Sequence, residues 1–232
     1  MLPTLPAPES LPTGPLPTPP RLRWVALGLL VVVATLVTIR FAGPALDASE
    51  AQRLAGELGA ELYDRPLLPQ ELDAPLELAP VGSAPAKPTT LRALLAGPDT
   101  VILHFWATWC PPCLDELLPL AQVAAEAERR HCQVLTVASD NDWPTMNATL
   151  TKTFGATKPK GEWVRDPFGQ DGPPDQLLRT SFGTEKLPET WVLSGGRVLA
   201  RFVASQDWKS QPYQRWLQAQ CPRLDSADGR AP

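Results

Sequence analysis

The chain has 232 residues, a formal net charge of −4 and four cysteines. Its 28 prolines and 15 glycines are about 19% of the residues, against an average near 12%. The absence of a G-X-Y period excludes collagen, and the low cysteine content excludes a small disulfide scaffold. Charges of both signs are mixed along the chain, which argues against a surface built to neutralise phosphates.

The prolines are unevenly placed. Eight lie in residues 1–20 and eight more between 44 and 98. Proline fixes φ and removes an amide donor, so residues 1–23 read as a disordered tail on the cytoplasmic side. Trp24–Ile39 is then an uncharged, mostly aliphatic run. At 1.5 Å per residue it spans about 24 Å, short of a hydrocarbon core of roughly 30 Å. Arg40 can snorkel, and extension through Leu46 completes a span. Residues 24–46 are therefore expected to form a single-pass transmembrane helix that acts as a signal anchor in membrane lipid. Arg21 and Arg23 flank it, and the positive-inside rule puts the N-terminus in the cytoplasm. A cleaved signal peptide is the rival reading, but no A-x-A site follows and Pro44 stands where cleavage is expected. Either reading puts residues 47–232 outside the cytoplasm.

Residues 47–76 read as a linker with a short helix, since Leu54, Leu58 and Leu62 share helical spacing and prolines follow. The globular domain is expected over 77–221, with a disordered tail over 222–232. Within that domain Thr90–Ala96 reads as a short helix and Thr100–Ala107 as a strand buried on both faces. Cys113–Arg130 has helical spacing, and Gln133–Ser139 is a second buried strand. Asp142 caps a helix running to Phe154, with Pro144 in its first turn. Trp163–Asp166 reads as a short strand and Gln176–Phe182 as a short helix. Thr190–Leu193 and Val198–Val203 flank Gly195-Gly196, a hairpin signal. Asp207–Gln220 closes the domain as an amphipathic helix. Alternating strands and helices predict an α/β fold, a central sheet covered on both faces.

Cys110-Pro111-Pro112-Cys113 follows a buried strand and opens a helix. A thiol at a helix N-terminus meets free amides and the positive end of the macrodipole, which favour the thiolate. The second cysteine lies one turn in, where it can resolve a mixed disulfide. The two prolines stiffen the turn and remove amide donors. Zinc is disfavoured because Cys132, Cys221, His104 and His131 form no second close pair. C-type haem is disfavoured because Leu114, not histidine, follows Cys113. A purely structural bridge across so short a loop would constrain little chain. The spacing thus points to a dithiol–disulfide couple that needs no metal and no organic cofactor.

Phe105-Trp106-Ala107-Thr108-Trp109-Cys110-Pro111-Pro112-Cys113 resembles the active-site segment of the TlpA/ResA-type thiol–disulfide oxidoreductases of the thioredoxin superfamily. Leu187-Pro188-Glu189-Thr190 resembles that family's cis-proline loop. The resemblance implies a thioredoxin-like fold with a central mixed sheet flanked by helices. It implies that Cys110 attacks, that Cys113 resolves, and that Trp109, Pro111 and Pro112 support them. Leu187, Pro188 and Glu189 would form the substrate-binding loop, with Glu189 as an acid in the groove. Glu116 stands at the offset of the family's acidic residue, which tunes the thiols. The implied partners are protein disulfides and a membrane donor of electrons, with the catalytic domain in the periplasm on the inner membrane. The implied direction is reduction, with cytochrome c maturation as one setting.

Three features depart from that pattern. His104 stands where thioredoxins have a buried aspartate, and is either a proton acceptor or a satisfied core group. Pro119 falls six residues after Cys113 rather than five, which puts the register of Glu116 in question. Lys158–Pro174 is a longer insertion than usual. Cys132 opens a strand and Cys221 ends the last helix. In a thioredoxin-like topology both lie at the end of the sheet away from the active site, so a structural bridge is expected in an oxidising compartment. The rival functions are a thiol peroxidase, disfavoured because no P-x-x-x-T-x-x-C precedes either cysteine, and a non-enzymatic scaffold or chaperone.

Overall fold

The computed structural model describes residues 49–80, 84–97, 100–130, 132–157 and 159–221. The expected N-terminal tail, transmembrane helix and C-terminal tail lie outside these residues. Among the described residues no helix is long and apolar enough to cross a membrane.

Residues 49–57 are helical (α1). There follow β1 (Glu61–Pro66), α2 (Pro69–Leu72), β2 (Pro75–Leu78), β3 (Lys87–Thr90) and α3 (Leu91–Leu94). The central run is β4 (Thr100–Trp106), α4 (Pro111–Glu128), β5 (Cys132–Ala138), α5 (Trp143–Phe154) and β6 (Glu162–Arg165). A 3-10 turn at Pro174–Gln176, α6 (Leu178–Ser181), β7 (Glu189–Ser194), β8 (Arg197–Val203) and α7 (Gln211–Gln220) complete the order. The eight strands form one sheet in the order β1-β8-β7-β4-β5-β6-β2-β3. Strands β4, β5 and β6 run parallel, and the remaining pairs are antiparallel. The fold is thioredoxin-like α/β with a central mixed sheet.

The sheet is wider than the sequence suggests. Part of the segment read as a linker over 47–76 belongs to it: β1 pairs with β8, and β2 pairs with β6 and β3. The difference comes from the prolines. Pro66 ends β1, Pro69 opens α2 and Pro75 opens β2, positions where a missing amide costs no internal hydrogen bond. Pro88 lies on β3, the last strand of the sheet.

Every residue of β4 is buried, and its alternation divides the core in two. Ile102 joins Leu120, Val123, Ala124, Trp216 and Leu217 beneath α4 and α7. Val101, Leu103 and Phe105 join Leu91, Leu178, Phe182 and Trp191 on the other side. His104 shares the parity of Ile102 and so points toward α4. The hairpin between β7 and β8 turns at Gly195 and Gly196, with φ of 55° and 74°, values that suit a two-residue turn matched to strand twist. The Asp142 carboxylate accepts from the Thr145 amide at 2.7 Å, capping α5. Helix α4 continues through Pro119 without a break in its assignment.

Candidate active site

Cys110 is the N-cap of α4, just past the carboxyl end of β4. Its carbonyl accepts from the amides of Cys113 (3.0 Å) and Leu114 (3.2 Å). Pro111 and Pro112 occupy the positions between and carry no amide hydrogen, so two donors of the first turn are missing. Cys110 and Cys113 are joined as a disulfide with Cα atoms 5.3 Å apart. Cys110 keeps 5% of its surface exposed, and Cys113 none. The outer sulfur is thus the one a partner can reach. Near it in the chain Pro111 and Pro112 are exposed, as are Trp109 (47%) and Leu114 (36%), with the exposed acid Asp115 following.

The Leu187–Pro188 peptide is cis. Leu187 packs against the cluster that contains Cys110, Cys113 and Trp106, so the proline loop and the disulfide lie together. Glu189 does not face the groove, contrary to the sequence reading. It is 1% exposed, and its Oε2 accepts from Arg201 Nη2 at 2.6 Å. Its Oε1 accepts from Trp191 Nε1 at 2.8 Å and from the Thr184 hydroxyl. Arg201 also lies over the Trp191 ring, 5.2 Å from its centroid. These partners hold the carboxylate inside the sheet and leave it no role as a groove acid. The same carboxylate holds the Arg201 guanidinium above its usual pKa.

Glu116 is buried on the inner side of α4. Its Oε1 accepts from the Gln206 amide at 2.6 Å and from Trp208 Nε1 at 2.9 Å. Burial still dominates and pushes its pKa up to about 7. His104 is fully buried, its Nδ1 2.9 Å from the Thr190 hydroxyl. Burial pushes its pKa down to about 3, so the ring is neutral.

Several supporting residues escaped the sequence reading. The Asp140 carboxylate accepts from the Thr108 amide at 3.1 and 3.2 Å and from the Thr108 hydroxyl. This ties the chain entering Trp109-Cys110 to the end of β5. Burial raises the Asp140 pKa. Arg165 gathers the neighbouring turns: its Nη1 donates to the carbonyls of Asp140, Asn141 and Asp166, and its Nη2 to Glu77 Oε2 at 2.6 Å. The described part of the insertion, residues 159–174, is anchored to the same place. Gln170 N donates to Asn141 Oδ1 at 2.8 Å, and Gly169 (φ 59°) sits where a Cβ would collide with Asn141. Asp140 follows a buried parallel strand, the end where such sheets place their sites; that position was the one available signal.

Far from this site, Cys132 and Cys221 form a second disulfide with Cα atoms 5.9 Å apart. Cys132 pairs in register with Thr100, at the start of β4, so this bridge lies at the opposite end of the sheet. Among the described residues no cluster of side chains suits a metal ion.

The chain is similar to several known proteins. Residues 75–194, just over half of the chain, match the AhpC/TSA family. A thiol:disulfide interchange protein DsbE homolog of Paracoccus denitrificans is 28% identical over 129 residues. That stretch is 54% of this chain and 63% of the relative, so the chain spans less than two thirds of its length. Among solved structures, a proposed thiol:disulfide interchange protein DsbE from Chlorobium tepidum is 20% identical with a TM-score of 0.49. It aligns over 69% of this chain and 99% of its own. A thiol-disulfide oxidoreductase from Bacteroides fragilis is 18% identical with a TM-score of 0.46, over 68% of this chain and 96% of its own.

Proposed function

Because the chain belongs to the AhpC/TSA family, we propose that it is a thiol–disulfide oxidoreductase that reduces protein disulfides through Cys110 and Cys113. The observation that carries this reading is the disulfide itself, placed at a helix N-terminus with one sulfur at the surface and one buried. In the reduced enzyme the Cys110 thiolate attacks a substrate disulfide. A mixed disulfide forms, and the first substrate sulfur leaves and takes a proton. The Cys113 thiol gives its proton to a buried base, Glu116, and attacks the Cys110 sulfur. The second substrate sulfur leaves, and the Cys110–Cys113 disulfide closes. Two electrons pass to the substrate, and a donor dithiol must return them.

The resemblance implies the reducing direction, and thiolate stability supports it. A couple whose reduced form is strongly stabilised is an oxidant. Pro111 and Pro112 withdraw two amides from the Cys110 sulfur, and an ionised Glu116 would repel a thiolate. Both effects disfavour the thiolate and favour reduction of the partner. The substrate is read as a protein segment because exposed apolar side chains flank Cys110 in the chain (Trp109, Leu114), with Leu187 and cis-Pro188 beside the disulfide to receive an extended chain.

The proposed setting is the outer face of a bacterial inner membrane, with residues 24–46 as anchor. The Cys132–Cys221 bridge supports an oxidising compartment. There the enzyme would draw electrons from a membrane donor, with cytochrome c maturation as one setting that the resemblance to the TlpA/ResA-type oxidoreductases implies. The test is to incubate the reduced full chain with insulin and, separately, with hydrogen peroxide. Rapid loss of the insulin disulfides is expected. Peroxide consumption without disulfide reduction would overturn the reading.

A further inference from the structure

Two buried polar atoms face each other beneath the active-site helix. His104 Nε2 and Glu116 Oε2 are 4.0 Å apart. Neither has a hydrogen-bond partner among the described residues. The side chains are 0% and 4% exposed. Each residue is fixed by its other polar atom. His104 Nδ1 is held by Thr190, its register partner on β7. Glu116 Oε1 is held by Gln206 N and Trp208 Nε1.

Chemistry decides what such a pair can hold. In the tautomer that donates Nδ1–H to the Thr190 hydroxyl, the neutral ring turns a lone pair at Nε2 toward the carboxyl group. An ionised Glu116 would then oppose one acceptor to another. A protonated Glu116 supplies the donor that both free atoms lack, after an approach of about 1 Å to hydrogen-bond length. The groups packed around the pair do not offer a compensating cation. Thr190 comes from β7, Gln206 and Trp208 from the segment before α7, and Tyr213 from α7, its hydroxyl donating to Gln206 Oε1. The charge that Glu116 feels is Asp115, another acid. The direction of both pKa shifts agrees with one proton on the pair.

We propose that His104 is a positioning residue that retains, through Nε2, the proton that Glu116 takes from Cys113, so that the two side chains work as a single one-proton acceptor. This rests on the reading of Cys113 as the resolving thiol and of Glu116 as its base. Glu116 stands three residues after Cys113 on α4, the spacing at which helical side chains are neighbours. When Cys113 gives up its proton and attacks Cys110, the proton comes to rest between Glu116 Oε2 and His104 Nε2. The S–S bond to the substrate breaks, and the substrate sulfur leaves as thiolate. Reduction of the enzyme by its donor returns the proton to Cys113.

The test is the pH profile, from 5 to 9, of single-turnover oxidation of the reduced full chain by a small disulfide. The unaltered chain is expected to show an inflection near pH 7, and Glu116→Gln to abolish it. His104→Asn presents amide hydrogens that favour the carboxylate, so the inflection should move down by about one unit. Thr190→Val frees Nδ1 and allows the ring to turn its N–H toward Glu116. It should move the inflection the same way, and it keeps the test open if His104→Asn does not fold. An inflection that stays in place in both variants while rates fall evenly would make His104 a mere packing group and overturn the proposal. Failure of the unaltered chain to react at any pH would overturn the oxidoreductase reading as well.

Discussion

Two disulfides occupy opposite ends of one sheet, and their surroundings differ in every respect that matters chemically. Cys110–Cys113 spans three residues, so it restrains almost no chain. It sits at a helix N-terminus, with exposed Trp109 and Leu114 on either side in the chain and buried Glu116 three residues past Cys113 on the same helix. Cys132–Cys221 spans 89 residues and is packed among Ala127, Trp216 and Leu217. Arg130 donates to the Cys221 carbonyl at 3.3 Å and pairs with Glu126. On the proposed reading the same covalent bond is reactive where a sulfur reaches the surface beside a proton acceptor, and a staple where it closes a long loop inside the core.

The sharpest way to break this contrast is to remove each bond in turn. Cys110→Ser should reduce protein-disulfide turnover to the uncatalysed rate, whereas the double change Cys132→Ser and Cys221→Ser should leave turnover near that of the unaltered chain. The double change should instead cost up to about 4 kcal/mol of stability, read from urea unfolding; an unchanged midpoint would deny the staple its role. A smaller effect separates the buried carboxyl groups. The folded pKa of Glu116 is raised, so its contribution to stability is complete below the unfolded value and is lost as pH rises through about 7. Between pH 4.5 and 8 this amounts to about 3 kcal/mol, and Glu116→Gln should flatten that decline in thermal unfolding. His104 runs the other way. Its folded pKa is depressed to about 3, so stability is lost as pH falls below its unfolded value near 6.5. The smallest expected effect is at Asp140→Asn, which weakens the hold on Thr108. A loss of about 1 kcal/mol and several-fold slower turnover should accompany an unchanged redox potential. A shifted potential would mean that Asp140 acts on the sulfurs directly.

The contrast also shows what the sequence could convey. The buried strands β4 and β5 were legible from uninterrupted apolar runs, and the hairpin from Gly195-Gly196. Cys110 and Cys113 were legible because their chemistry depends on local spacing. The outer strand β1 and the start of β2 were hidden by their prolines, which read as linker but lie at element ends. The fate of Glu189 was not legible either. Its neighbour in sequence is the loop proline, but its charge partner Arg201 stands on the adjacent strand. The same limit applies to Glu116, whose oxygen is held by Gln206 and Trp208, about 90 residues further along the chain. Contacts that form only when strands and helices assemble leave no mark in the local pattern.

The central claim is that Cys110 and Cys113 form a reducing couple. It is tested most directly by a redox titration of the full chain carrying Cys132→Ser and Cys221→Ser, so that a single disulfide remains. A potential more negative than the thioredoxin value of about −270 mV is predicted. A potential near −120 mV, the range of a strong oxidant, would contradict it.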